Sequence, residues 1–131
     1  MRRGEIWTVA GGQDYVGKPR PALIVQDDSF DATKSMTICA FTTDETEAPL
    51  FRLPVAPGAR NGLSAPCRLM IDKITTVPKS KLGARIGRLD DEDLVRFNRA
   101  AIVFLGLAAP VRSRRKSSPG RVAPAASESK A

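Results

Sequence analysis

The stretch Lys18-Pro19-Arg20-Pro21-Ala22-Leu23-Ile24-Val25-Gln26 sets one guanidinium between two prolines, just ahead of an apolar run. Proline fixes its own φ and pushes the preceding residue toward extended geometry, so Arg20 has little backbone freedom. Such a frame either aims a cation or starts a strand, because proline is tolerated at a first strand residue. The rest of the inventory narrows the chemistry. With no histidine in the chain, a Ser-His-Asp triad, a Cys-His dyad and a histidine pair for RNA cleavage are all excluded. Ser29, Ser35 and Ser64 lack the glycine frame of a nucleophile elbow. Cys39 and Cys67 have no CxxC spacing and no histidine to share a metal, so no metal site and no cofactor are expected. The acidic pairs read as structural: Asp27 and Asp28 alternate faces, and Asp90 to Asp93 open a helix. The polar groups that survive are Arg20, Thr42, Thr43, Arg52, Arg68, Asp72 and Lys73. Asp72-Lys73, which interrupts the run Arg68-Leu69-Met70-Ile71, reads as an exposed strand end unless it serves a site.

Composition sets the frame for these groups. At 131 residues the chain is one domain's worth of core. Hydrophobic residues make up 42% but aromatics only 5%, too few for the stacking platforms of common single-strand binders. The net charge of +7 favours a polyanionic partner. Residues 110–131 hold six basic side chains against Glu128, or +5 of that total, leaving +2 on residues 1–109. That terminal stretch, rich in Pro, Ser, Ala and Arg, cannot build a core and is expected to be a disordered basic arm. The opening Met1-Arg2-Arg3 is followed by no apolar signal core, and the run Ala100–Ala109 is too short to span a bilayer. A cytoplasmic protein with two reduced, buried thiols is therefore expected, with no membrane partner.

The elements that must position the candidates can be read from periodicity. Glu5–Ala10 reads as a first strand, Ala22–Gln26 as a second buried one, and Met36–Asp44 as a third with alternating faces. Leu50–Val55 is a fourth, placed at an edge by Pro54, and Cys67–Val77 a fifth; Asn61-Gly62 between them is a turn signal. The period then changes. Asp90 or Asp91 can cap a helix over about residues 90–107, with Leu94, Phe97, Ala101, Phe104 and Leu105 on one face and Pro110 as its stop. Five or more short strands followed by one helix predict a mainly β fold, a small antiparallel barrel or coiled sheet with the helix over one opening. Residues 1–109 form that domain.

In order along the chain, Arg2–Val9 with its Gly-Glu-Ile-Trp, the run Gly17–Gln26, Thr37–Thr43, and Asn61–Leu94 resemble the MazF/PemK group of bacterial toxins. The resemblance runs from Arg2 to about Leu107. It implies an SH3-like barrel with a C-terminal helix, a homodimer, and a metal-independent endoribonuclease acting on single-stranded mRNA and neutralised by a cognate antitoxin. It carries two catalytic positions onto this chain, Arg20 and Thr42, and it makes Lys18, Thr43, Arg52, Arg68, Asp72 and Lys73 the expected RNA contacts. Lys73 stands where many relatives have glutamine. An alternative from a different class, a non-enzymatic poison on the same barrel such as the CcdB-like gyrase binders, is disfavoured because those act through a tryptophan near the C-terminus. Here the one tryptophan is Trp7. A non-catalytic module that only binds RNA or protein is the remaining alternative.

Overall fold

The computed structural model describes residues 1–10, 18–45 and 51–108. The basic arm expected over 110–131, and most of the glycine-rich loop after the first strand, lie outside them. Six antiparallel strands form one sheet: β1 (Glu5–Val9), β2 (Arg20–Ile24), β3 (Ser35–Thr42), β4 (Arg52–Val55), β5 (Cys67–Pro78) and β6 (Leu82–Arg88), followed by helix α1 (Asp91–Phe104). The spatial order is β4-β5-β3-β2-β1-β6, so the strand with Pro54 is an edge, as its missing ladder donor requires. No helix among the described residues is long and apolar enough to cross a membrane.

Two departures from the sequence expectation have physical causes. First, β2 begins at Arg20, with Arg20 opposite Val9 and Pro21 opposite Thr8; the prolines start the strand and hold the guanidinium at its mouth. Second, Asp72-Lys73 does not end a strand. Cys39 pairs with Ile74 but Phe41 with Leu69, so the stretch between them on β5 is longer than the single Ala40 it faces. The excess bulges, and that lets one long strand pair β3 along its length and β4 at its start.

β6 had no strand signal because glycines interrupt it, and the glycines are there for close approach. Gly87 lies so near the β4–β5 loop that a Cβ would sit 2.3 Å from the Asn61 carbonyl oxygen, and Gly62, at φ +71°, would press one 2.0 Å from that of Ile86. Asn61-Gly62 is thus no two-residue hairpin turn. Asn61, 5% exposed, accepts the Gly58 and Leu63 amide protons on Oδ1 at 3.0 and 2.9 Å and donates Nδ2 to the Ala56 carbonyl at 2.9 Å. Every polar atom of that buried amide has a partner, and the loop is held flush against β6.

The core explains the rest. Ile6, Leu23, Cys39, Leu69 and Ile71 line one face of the sheet and receive Phe97 of α1, with Leu94 and Ala101 alongside. Ala22, Ile24, Met36 and Ile38 of the opposite face are covered by Leu82, Trp7 and Val77, so β2 is buried on both sides and reads as continuous apolar sequence. In the Gly-Glu-Ile-Trp segment, Glu5 accepts the Trp7 indole proton at 2.9 Å and the Arg2 amide proton at 3.0 Å. Burial alone would raise the Glu5 pKa, but these bonds and Arg85 outweigh it and hold it below the usual range. The helix starts after Asp90, whose side chain makes no capping bond, and its first turn carries Asp91, Glu92 and Asp93 toward the positive end of the dipole. It ends before Pro110 is reached: Gly106, at φ +74°, and Leu107 return their amides to Val103 and Ile102 at 3.1 and 2.9 Å. Phe104 meets Phe51 at 5.9 Å between ring centroids, while Leu105 is left 58% exposed.

Phe97 is the helix residue that closes the core, at 2% exposure. Phe97→Ala is expected to cost about 3–5 kcal/mol in unfolding free energy, read by urea denaturation; a loss under about 1 kcal/mol would show that the helix is not what seals the sheet.

Candidate active site

The register of β2 against β3 brings the two leading candidates together. Ala22 pairs with Ala40. Two residues further on each strand lie Arg20 and Thr42, and a period of two keeps both on one face. They share a cavity of about 370 Å³, into which Lys18, Thr43, Leu63 and Ser64 also face and which Cys67 floors. Thr42 closes β3 opposite Arg68. Its Oγ1 accepts the Asp44 amide proton at 3.1 Å, which fixes the side chain and leaves the hydroxyl proton to be donated elsewhere. Two cations, one oriented hydroxyl and an apolar floor make a concave site suited to an anion with an apolar body.

The other candidates separate. Arg68 lines a neighbouring hollow of about 250 Å³ that shares Thr43 and Cys67 with the first, and its Nη1 donates to the Asp44 carbonyl at 3.1 Å. Arg52, Asp72 and Lys73 line neither. Arg52 and Asp72 hold each other instead through two parallel bonds of 2.8 and 3.1 Å, with side chains only 14% and 22% exposed. This fork ties β4 to the bulge of β5. The bonds from Arg52 hold the Asp72 carboxyl below the usual aspartate range against the opposing effect of burial. Lys73 is exposed beside it.

Sequence reasoning missed the far wall, Leu63-Ser64-Ala65. These residues carry no motif of their own; the signal was the preceding Asn61-Gly62, whose clamp sets where the wall stands. Burial pushes the Cys67 thiol up to about 11 and Cys39 to about 12, so neither supplies a thiolate at neutral pH. Among the described residues no three metal-ligating side chains cluster.

Fold and cavity together define a small barrel-like β protein with one terminal helix and a cationic, hydroxyl-bearing pocket. The family model for the PemK-like, MazF-like toxin of type II toxin-antitoxin systems matches residues 2–105, and the chain belongs to that family. It is 56% identical over 108 residues, 82% of this chain and 99% of the relative, to a probable endoribonuclease MazF of Mycolicibacterium smegmatis. Among solved structures it superposes with TM-score 0.68 on a mycobacterial endoribonuclease in complex with its cognate antitoxin, at 25% identity over 84% of this chain and 99% of that one. The Mycobacterium tuberculosis toxin MazF-mt6 matches with TM-score 0.62 at 25% identity, over 76% of this chain and 96% of that one.

The Arg52–Asp72 pair generates a pH dependence with a definite sign. A carboxylate whose folded pKa is lowered adds stability above its unfolded pKa, near ~3.9, and loses it as the pH falls through the folded value. Wild-type unfolding free energy should therefore drop below about pH 4 by more than that of Asp72→Asn, measured by denaturant titration at stepped pH. Parallel pH curves would show that the pair carries no net stability.

Proposed function

We propose that this chain is the toxin of a toxin-antitoxin pair: an endoribonuclease that cuts single-stranded mRNA sequence-selectively, without a metal, in the cytoplasm. The observation that carries the reading is the convergence of Arg20 and Thr42 on one cavity. With no histidine to act as base, the most economical nucleophile is the substrate's own ribose 2′-hydroxyl. It attacks the adjacent phosphorus and gives up its proton to water. The 5′-oxygen leaves and takes a proton from water, and a 2′,3′-cyclic phosphate remains. Charge gathers on the non-bridging oxygens in the transition state. A planar guanidinium offers them two parallel hydrogen bonds, and because it carries donors and no acceptor it acts as a charge stabiliser rather than a base. Thr42 donates its remaining hydroxyl proton to the same phosphate, and Lys18 attracts the backbone. Arg68 and Thr43 extend the contact surface. Arg52, Asp72 and Lys73 lie apart from the cavity, and their RNA contact has only the resemblance behind it.

A cognate antitoxin completes the proposal, supported by the relative solved with its antitoxin, and the family resemblance adds a homodimer. The gyrase-poison alternative gains nothing from the structure, because the Trp7 indole is engaged by Glu5 within β1.

Arg20→Ala should lower cleavage of a single-stranded RNA by about 10²- to 10³-fold with an unchanged melting temperature. Undiminished cleavage would shift the reading to a module that binds without cutting. Replacing the ribose 5′ to the cut by a single deoxyribose should stop cleavage there while leaving binding in place. Scission at the deoxy position would rule out the 2′-hydroxyl as nucleophile.

A further inference from the structure

The second hollow, lined by Arg68, has no part in the chemistry above. Because it shares Thr43 and Cys67 with the cavity of Arg20 and Thr42, it is the next concavity that a strand threaded through the site would meet. Its walls are apolar and stiff: Pro54, Val55 and Pro66. Its polar edge is unusual for a surface that must meet a polyanion, because Glu45 stands there together with Arg68. A carboxylate in the path of a phosphate backbone is repulsive unless it meets hydrogen-bond donors. Arg68 is placed by two constraints, its pairing with Thr42 and Pro54 on either side and its bond to the Asp44 carbonyl.

We propose that this hollow receives the nucleobase flanking the scissile phosphate, and that Glu45 selects guanine there. The inference rests on the ribonuclease reading. The two oxygens of a carboxylate are side-by-side acceptors. Guanine presents two adjacent donors on one edge, N1–H and the N2 amine, which match them bidentately. Cytosine and adenine offer one amine beside an acceptor, and uracil one imino proton between two carbonyls. Unstacked bases of single-stranded RNA are read on these edges, and the flat ring packs between the proline walls. The Arg68 fork, a donor only, complements the guanine O6 on the same edge.

Cleavage sites are to be mapped on a randomised single-stranded RNA with the full-length protein, followed by kinetics on an RNA carrying guanosine or inosine at the flanking position. Inosine lacks only the N2 amine. Wild type should enrich guanine at one position next to the cut and should lose on the order of 10-fold in kcat/KM with inosine. Glu45→Ala should lose both the enrichment and the guanosine-inosine difference. Cuts with no guanine preference at either flanking position, or a Glu45→Ala variant that keeps the wild-type preference, overturn the proposal while the ribonuclease reading stands. Absence of any cut by the wild type overturns both.

Discussion

The β2–β3 register is the constraint on which the rest depends. Ladder hydrogen bonds that set Ala22 opposite Ala40 and Leu23 opposite Cys39 also decide which side chains stand side by side at the strand ends. A slip of one residue would turn every side chain of a strand to the other face. Here that would drive Leu23 into the opposite cluster in place of Ala22 and Ile24, send Arg20 away from Thr42 and disrupt both apolar clusters at once. The same packing that stabilises the sheet therefore fixes the cavity, and both faces of β2 are buried, which makes the register costly to change.

Most of the supporting framework is indirect. Asn61 touches no candidate group, yet its three hydrogen bonds set the wall that faces Arg20 and Thr42. Gly62 and Gly87 let that loop lie against β6. The Arg52–Asp72 fork anchors the edge strand to the point where β5 bends. At the opposite end of the fold, Arg3 donates to the Val25 carbonyl at 2.8 Å and to Asn98 at 2.7 Å, with its guanidinium 5.9 Å from the Phe97 ring. This joins the N-terminus, the end of β2 and the helix.

The elements with strong periodicity were legible in the sequence: β1, β3, β5 and the helix, whose acids and apolar stripe follow from dipole and core. What could not be read was set by contacts distant in the chain. β6 looks like a loop because Gly83 and Gly87 answer to neighbours on β1 and the β4–β5 loop. Asp72 looks like a strand terminus until Arg52, twenty residues earlier, is seen to hold it. The helix stops at Phe104, well ahead of the more conspicuous Pro110, because the left-handed Gly106 lets the following amides satisfy its last carbonyls first. In the site, Arg20 stood out by its proline frame and Thr42 only through the family resemblance, whereas Ser64 and Glu45 have no local signal and gain meaning only from the walls they complete.

The floor of the cavity has a practical corollary. Cys67 is 8% exposed, Cys39 fully buried, and both thiols stay protonated well above neutral pH. Maleimides and iodoacetamide react with thiolate at accessible sulfur, so the native protein is close to inert toward them. A single cysteine introduced on an exposed strand would take a fluorophore or spin label alone, giving a reporter of nucleic-acid engagement without removing either natural thiol.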